Sequence, residues 1–307
     1  MIVLGFDTSN YTTSVASFDG KCVENRSRLL DVKQGELGLR QSDAVFAHVK
    51  RLPELAHGLF DDQEPSTIQA IGVSTRPRAV EGSYMPCFLA GVSAAETMAA
   101  ALHVPCYAFS HQQGHIAAAL WSAGRMDLME HPHLAWHLSG GTTELLLVEP
   151  EDRNVRATVI GGTNDISAGQ IVDRTGKLLN LNFPSGKALD ALSSQVERPE
   201  RFKVKTNDLY FSLSGLENKV ASYFANHSPE ETAAYAMQSV IDVIIRTTKD
   251  ALLRYPDFPV VFSGGVASNS MLRKSCSAFH CLFAEPALST DNAAGIAVLT
   301  WMQEERL

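Results

Sequence analysis

The chain has 307 residues, 45% of them apolar, and carries 34 acidic against 26 basic side chains for a net charge of −8. That is enough apolar chain to bury a core in two lobes rather than one, and the acidity argues against unaided tight binding to a polyanion. Five cysteines (Cys22, Cys87, Cys106, Cys276, Cys281) form no C-x-x-C pair, no apolar run reaches the ~18 residues of a membrane span, and the start MIVLGFDTSN lacks a basic segment before a long apolar one, so a reduced, cytoplasmic protein with no membrane partner is expected.

IVLGFD, TTSVASF and KCVENRSRLL, the last after the Asp19-Gly20 turn, read as three antiparallel strands. A helix is expected from Ser42, its N-cap, to Phe60. Then come strand IQAIGVST (68–75), an alanine-rich helix over 87–102, strand VPCYAF and a helix beginning near FSHQQGH. A second cycle starts near His133 with strands HLAWHL, TELLLVEP and VRATVIGG. It continues with a helical stretch over about 167–225, a long amphipathic helix over 229–254, strand VVFSGG, helix SNSMLRKSCSAF, strand CLFAEP and a last helix from Asn292. Two rounds of a βββαβα layout predict a two-lobed α/β architecture with a nucleotide cleft between the lobes. The expected lobes are 1–131, with the final helix 292–307 packing back on it, and 132–291, with a helical insertion over about 164–226.

Polar turns occupy equivalent places in the two halves. DTSNYTTS (7–14) offers Asp7 for a metal ion or its waters, and Thr8 and Ser9 among the hydroxyls that can ring an anion; it is also what an ordinary polar hairpin turn looks like. In HLSGGTTEL (137–145), Gly140 and Gly141 let the backbone approach a ligand, beside Ser139. VFSGGVASNSMLR (261–273) places the pair Gly264-Gly265 at a helix start, where free N–H groups can seat an adenosine and Asn269 can offer an amide; a packing turn would also use glycine there.

His111 and His115 stand four apart, on one face of a helix, as two ligands of one ion would. Ten histidines in a chain of this length also produce such spacing by chance, so a third ligand is needed; the best carboxylate is Asp291, at the start of the last helix, where an acid also serves as a cap. Two imidazoles and a carboxylate with open positions suit Fe(II) or Zn(II). A zinc peptidase is excluded, because Gln112 stands where that chemistry needs a glutamate base. A small-molecule kinase fits poorly: the SGGTTEL turn offers only Glu144 as a base.

Taken together, LGFDTS, HQQGH, LSGGTTEL, DRTGKLLNLNFPSG, FSLSGLEN, SGGVASNSMLR and STDNAAGIA resemble, in order and over nearly the whole chain, the threonylcarbamoyl-adenosine tRNA transferase family, long filed as glycoproteases or O-sialoglycoprotein endopeptidases. The resemblance implies the actin-like ATPase (ASKHA, ribonuclease H-like) fold. It implies metal ligands at His111, His115 and Asp291, and nucleotide contacts from His137, Leu138, Ser139, Gly140 and Gly141, and from Asp173, Gly186 and Asn269. It further implies a divalent metal (Fe or Zn, with Mg accompanying nucleotide), ATP or threonylcarbamoyl-adenylate as cofactor or donor, a tRNA adenosine as acceptor, and help from partner proteins, including a smaller relative of the same fold or a second copy of this chain. No catalytic side chain is assigned beyond the metal ligands.

This chain departs from that family's pattern at Tyr11-Thr12 for an acidic pair, Arg76-Pro77-Arg78 for a Gly-Pro-Gly loop, Gln113 for a glutamate, Thr142 for a histidine and Glu217 for a lysine. It reads as a divergent paralogue. Two further functions therefore stand beside transfer to tRNA: a nucleotide-binding scaffold or regulator without catalysis, and a carbamoyl transferase with another acceptor.

Overall fold

The computed structural model describes residues 1–9, 11–31, 39–60, 64–276, 279 and 281–305. The chain divides into two compact units. The first comprises Met1–His131, Glu149–Ala157 and Asp291–Leu307; the second comprises Pro132–Val148 and Thr158–Thr290.

In the first unit, β1 (Ile2–Asp7), β2 (Thr12–Phe18) and β3 (Val23–Leu29) form the expected antiparallel meander. After α1 (Gln41–Phe60), β4 (Ile68–Arg76) joins β1 in parallel; after α2 (Phe88–Leu102), β5 (Cys106–Ser110) joins β4 in parallel. The sheet order is β3-β2-β1-β4-β5. Leu4, Phe6, Val15, Ile71 and Val73 meet Leu52 and Ala95 in a dry core, each large apolar side chain contributing about 1.5–3 kcal/mol by leaving water. Ser42 lies inside α1 rather than capping it, since the helix starts one residue earlier.

α3 (His111–Ser122) follows β5 without a linker. In the second unit, β6 (His133–Leu138), β7 (Thr143–Glu151) and β8 (Asn154–Thr163) start a sheet. The expected helical stretch over 167–225 is instead α4 (Ala168–Leu178) and α5 (Gly186–Ser193), then short strands β9 (Thr206–Asn207) and β10 (Tyr210–Phe211), then α6 (Ser214–Phe224). Pro184 and the left-handed Asn180 and Asp208 interrupt helix there, and β10 pairs with β8, extending the sheet.

α7 (Pro229–Arg254) opens with a Ser228–Glu231 capping box. β11 (Val260–Ser263) then runs parallel to β6. The helix expected over 268–279 is only α8 (Ser270–Ser275), preceded by a 3-10 turn over Gly265–Ser268; residues 277 and 278 of that expectation lie outside the described residues. β12 (Cys281–Phe283), α9 (Pro286–Ser289) and α10 (Ala294–Glu304) complete the chain, and the second sheet runs β12-β11-β6-β7-β8-β10-β9. Its core gathers Trp136, Leu138, Leu145, Val240, Ile244 and Phe262, and the indole N–H of Trp136 is satisfied by Thr248 Oγ1 at 2.9 Å. No helix among the described residues is long and apolar enough to cross a membrane.

Candidate metal centre and glycine turns

β5 passes directly into α3 because Ser110 caps the helix: its Oγ accepts from Gln113 N, and Gln113 Oε1 accepts from Ser110 N. His111 and His115 thus stand one turn apart on the first turns of α3. α10 meets both α3 and β1 through glycine. A Cβ on Gly295 would collide with the Gly114 carbonyl, and one on Gly5 would lie 2.6 Å from the Ala293 carbonyl oxygen. Backbone contact at these crossings brings Asp291, just ahead of α10, to the histidines. Among the described residues Asp291 is not a helix cap; the N-cap of α10 is Ala293.

Three donor atoms converge. His111 Nε2 and His115 Nε2 are 2.9 Å apart, and Asp291 Oδ1 lies 3.3 Å from the latter and 3.5 Å from the former. Ligands about 2.0–2.2 Å from a shared zinc-sized ion are separated from one another by about 2.8–3.6 Å, so the triangle is of the right size. Behind it, His111 Nδ1 donates to Asp7 Oδ2 at 2.8 Å, while Asp7 Oδ1 accepts from Ser9 N at 2.8 Å. A carboxylate on the far nitrogen fixes the imidazole so that its Nε2 lone pair faces the centre. Asp7 therefore stands behind a ligand, both of its oxygens engaged, and not in the ring of donors.

The electrostatics ask for a cation. Burial alone would lower the His111 pKa, but the charge of Asp7 and the hydrogen bond to Asp291 outweigh it and raise the imidazole to about 10. Burial, then the His111 charge, push His115 down. Burial would raise Asp7 and Asp291, yet His111 holds Asp7 below, and both histidines hold Asp291 well below, the ordinary carboxylate range. Two buried carboxylates thus face two imidazoles across the centre, an arrangement that favours positive charge there. The donor set fits a divalent ion of intermediate softness.

Most polar side chains around the first turn are engaged within the first unit. Thr8 Oγ1 donates to the Cys87 carbonyl and accepts from Gly91 N, tying β1 to α2, so this hydroxyl is occupied internally. Ser9 Oγ is buried and has no partner among the described residues. Gln113 is fully used: its Nε2 donates to the Val155 carbonyl at 2.8 Å. Its amide is a structural brace, not a charge missing from the centre. The Phe88 ring packs 6.2 Å from that of His111.

In the second unit, Ser139-Gly140-Gly141-Thr142 closes the β6–β7 hairpin, with Ser139 N donating to the Thr142 carbonyl and their hydroxyls 2.9 Å apart. Gly140 and Gly141 have no positive φ, and a Cβ on either would meet nothing within 4 Å. The same holds for Gly186 and Gly265. Neither backbone strain nor packing asks for glycine at these four places. Gly264 is the opposite case: its φ is +90° and a Cβ would strike the Leu138 backbone.

His137 is buried in β6 and the Leu138 side chain is core, leaving Leu138 only its backbone to offer. Asp173 is raised by burial; its Oδ1 accepts from Ser185 N at 3.0 Å. Asn269 caps α8 through Oδ1 and donates from Nδ2 to Asp190 Oδ1 at 2.7 Å, so Asp190, absent from the sequence reading, positions the amide. Also unforeseen is Gly169, whose lack of a side chain lets α4 touch the Ser139 carbonyl and Gly140. Glu217 pairs with Arg174 at 2.5 Å.

Solved structures place this architecture in the actin-like ATPase fold. Component A of (R)-2-hydroxyglutaryl-CoA dehydratase from Acidaminococcus fermentans aligns with a TM-score of 0.59 at 15% identity, over 99% of this chain and 98% of that one. A ROK-family glucokinase from Streptomyces griseus aligns with a TM-score of 0.55 at 11% identity, over 98% and 99%.

Within that fold, the TsaD family, tRNA N6-adenosine threonylcarbamoyltransferase, matches residues 32–298. The chain is 31% identical to a member from Nitrosomonas europaea over 100% of its own length and 94% of the relative's. It is 30% identical to one from Lactococcus lactis subsp. cremoris over 98% and 91%. The chain belongs to the TsaD family, a family of acyltransferases and not of peptidases.

Proposed function

We propose that this chain is a metal-dependent threonylcarbamoyl transferase acting on a tRNA adenosine, working in the cytoplasm with partner proteins, a smaller relative of the same fold or a second copy among them. His111, His115 and Asp291 would hold the divalent ion, iron or zinc. The glycine turns at Gly140-Gly141 and Gly265, with Gly186 and Asp173, would receive the adenylate; two solved relatives of the same fold carry an ATP analogue. The observation that carries the reading is the triangle of donor atoms, with Asp7 locking its first member, in a chain of this family.

In the reaction, the exocyclic amine of adenosine attacks the carbamoyl carbon of threonylcarbamoyl-adenylate. A C–N bond forms, the C–O bond to phosphate breaks, AMP leaves with the electron pair, and the amine loses a proton. Bound metal would supply Lewis-acid stabilisation of charge developing on oxygen. The backbone N–H groups of the glycine turns would hold the phosphate, and a carboxylate at Asp173 can accept from ribose hydroxyls through Oδ2. No protein nucleophile takes part.

The test combines elemental analysis with turnover. Wild-type protein should carry about one equivalent of iron or zinc and, given threonylcarbamoyl-adenylate, unmodified tRNA and partner proteins, form the modified nucleoside. His111→Ala should lose both. A metal-loaded wild type that forms no modified nucleoside at saturating donor and tRNA overturns the transferase reading; calorimetric binding of adenine nucleotide without turnover would then leave a scaffold.

A further inference from the structure

We propose that the connection between β4 and α2, residues 76–87, takes the acceptor RNA, with the Arg76 guanidinium on a backbone phosphate and the Tyr84 ring stacked on an unpaired base. The inference rests on the transferase reading and supplies the part of it that the metal centre does not.

Three parallel strands end on one edge of the first sheet. β1 ends at Asp7, β4 at Arg76 and β5 at Ser110, and His111 comes next. In open α/β sheets the carboxyl ends of parallel strands are where ligands gather. Arg76 is the register partner of Ser110, beyond a bulge in β4, so its backbone is one cross-strand step from the residue that precedes a metal ligand.

The connection is pinned beside the centre at both ends. The Pro77 carbonyl accepts from Gln112 N at 3.0 Å, and Phe88, just past the other end, packs on the His111 ring. Between these anchors the chain is folded on itself: Arg78 N donates to Ser83 Oγ at 3.0 Å and Ser83 N to the Val80 carbonyl at 3.2 Å.

What this frame displays is unspent. Arg76 is exposed, and its guanidinium has no partner among the described residues. Tyr84 is 63% exposed. In a chain of net charge −8, an exposed guanidinium with no partner among the described residues, on a strand end whose register partner precedes His111, can receive an anion, and its planar fork matches a phosphate. An exposed ring in the same connection suits an unstacked base, the usual way proteins read single-stranded RNA. An acidic peptide would use the guanidinium but not the ring.

The test uses full-length, metal-loaded protein and a fluorescent RNA anticodon stem–loop with unmodified adenosine, titrated by anisotropy over a range of salt. Arg76→Ala and Tyr84→Ala should each weaken binding at least about fivefold, the low end of what one stacked base is worth. Arg76→Ala should also lower the slope of log affinity against log salt by about one. Tyr84→Phe should bind as wild type does, and metal content and thermal midpoint should be unchanged in all three. If wild type modifies tRNA while both alanine variants bind RNA and turn over as well as it does, the loop assignment falls and the transferase reading stands. If wild type with its partner proteins neither binds RNA nor modifies it, the transferase reading falls and takes the loop with it. If the variants lose affinity for an acidic peptide and none for RNA, the loop belongs to a peptide and the RNA assignment is overturned.

Discussion

The turn after β1 and the turn after β6 hold the same place in their sheets, each joining the first strand to an antiparallel second, yet they solve opposite problems. The first is wired inward. Asp7 is committed to His111 and Ser9, Thr8 to α2, and Thr13 Oγ1 lies 2.8 Å from His48 Nδ1 on α1. The second is left open at its tip, with glycines that nothing inside the protein requires. The first turn reaches the donor triangle only through His111 and is tied down by its own side chains, whereas the second presents bare backbone at its tip.

The sharpest way to break this contrast is a pair of glycine substitutions. Gly264→Ala forces a Cβ into the Leu138 backbone at φ +90° and should cost about 3 kcal/mol of stability, seen as a lowered urea midpoint. Gly140→Ala meets no atom within 4 Å; its urea midpoint should stay within about 0.5 kcal/mol of wild type while adenine-nucleotide affinity falls in calorimetry. Equal nucleotide affinity in Gly140→Ala would remove the argument that the open turn is kept bare for a ligand.

Asp7→Asn tests the inward-facing turn. The amide keeps the shape but can present its N–H to His111, favouring the tautomer that turns an N–H toward the centre. Metal affinity should fall by about 10–100-fold, the usual effect of removing a ligand's outer partner, measured by competition with a chelator. Unchanged affinity would mean that Asp7 merely fills space.

Much of the architecture was legible because it is periodic. The alternating β1–β3 runs and the long amphipathic α7 announce themselves, and the four-residue spacing of His111 and His115 needs only a helix to become a shared face. What was illegible depended on contacts between distant segments. Asp7 reads as a ligand because a carboxylate in a polar turn can be one; only the meeting of the end of β1 with the start of α3 shows it behind His111. Gly5, Gly114 and Gly295 carry no chemical signature, although small residues recurring through HQQGH and DNAAGIA hint at helices meeting closely. Gln113 looks like a lost charge until Ser110 and the Val155 carbonyl claim both ends of its amide. The short strands β9 and β10 are too brief to show a period and form only because β8 offers an edge.

The smallest effect separates the two turns by pH. His48, which braces the first turn through Thr13, is fully buried, and its Nε2 has no partner among the described residues. Burial lowers its pKa to about 4, outweighing the Asp7 charge, which acts the other way. A folded-state pKa below the unfolded one means that the unfolded chain takes up a proton first as pH falls. The contribution of neutral His48 is therefore whole above about pH 6.5 and is lost progressively down to about pH 4. Between pH 7 and pH 5 that amounts to about 2 kcal/mol, read as a drop in the urea midpoint. His48→Gln, which keeps a hydrogen-bonding partner for Thr13 without a titrating group, should lower stability at pH 7 but flatten the profile over that window. A wild-type profile already flat from pH 7 to 5 would show that the first turn is not sealed, and its contrast with the bare second turn would narrow to the single link between Asp7 and His111.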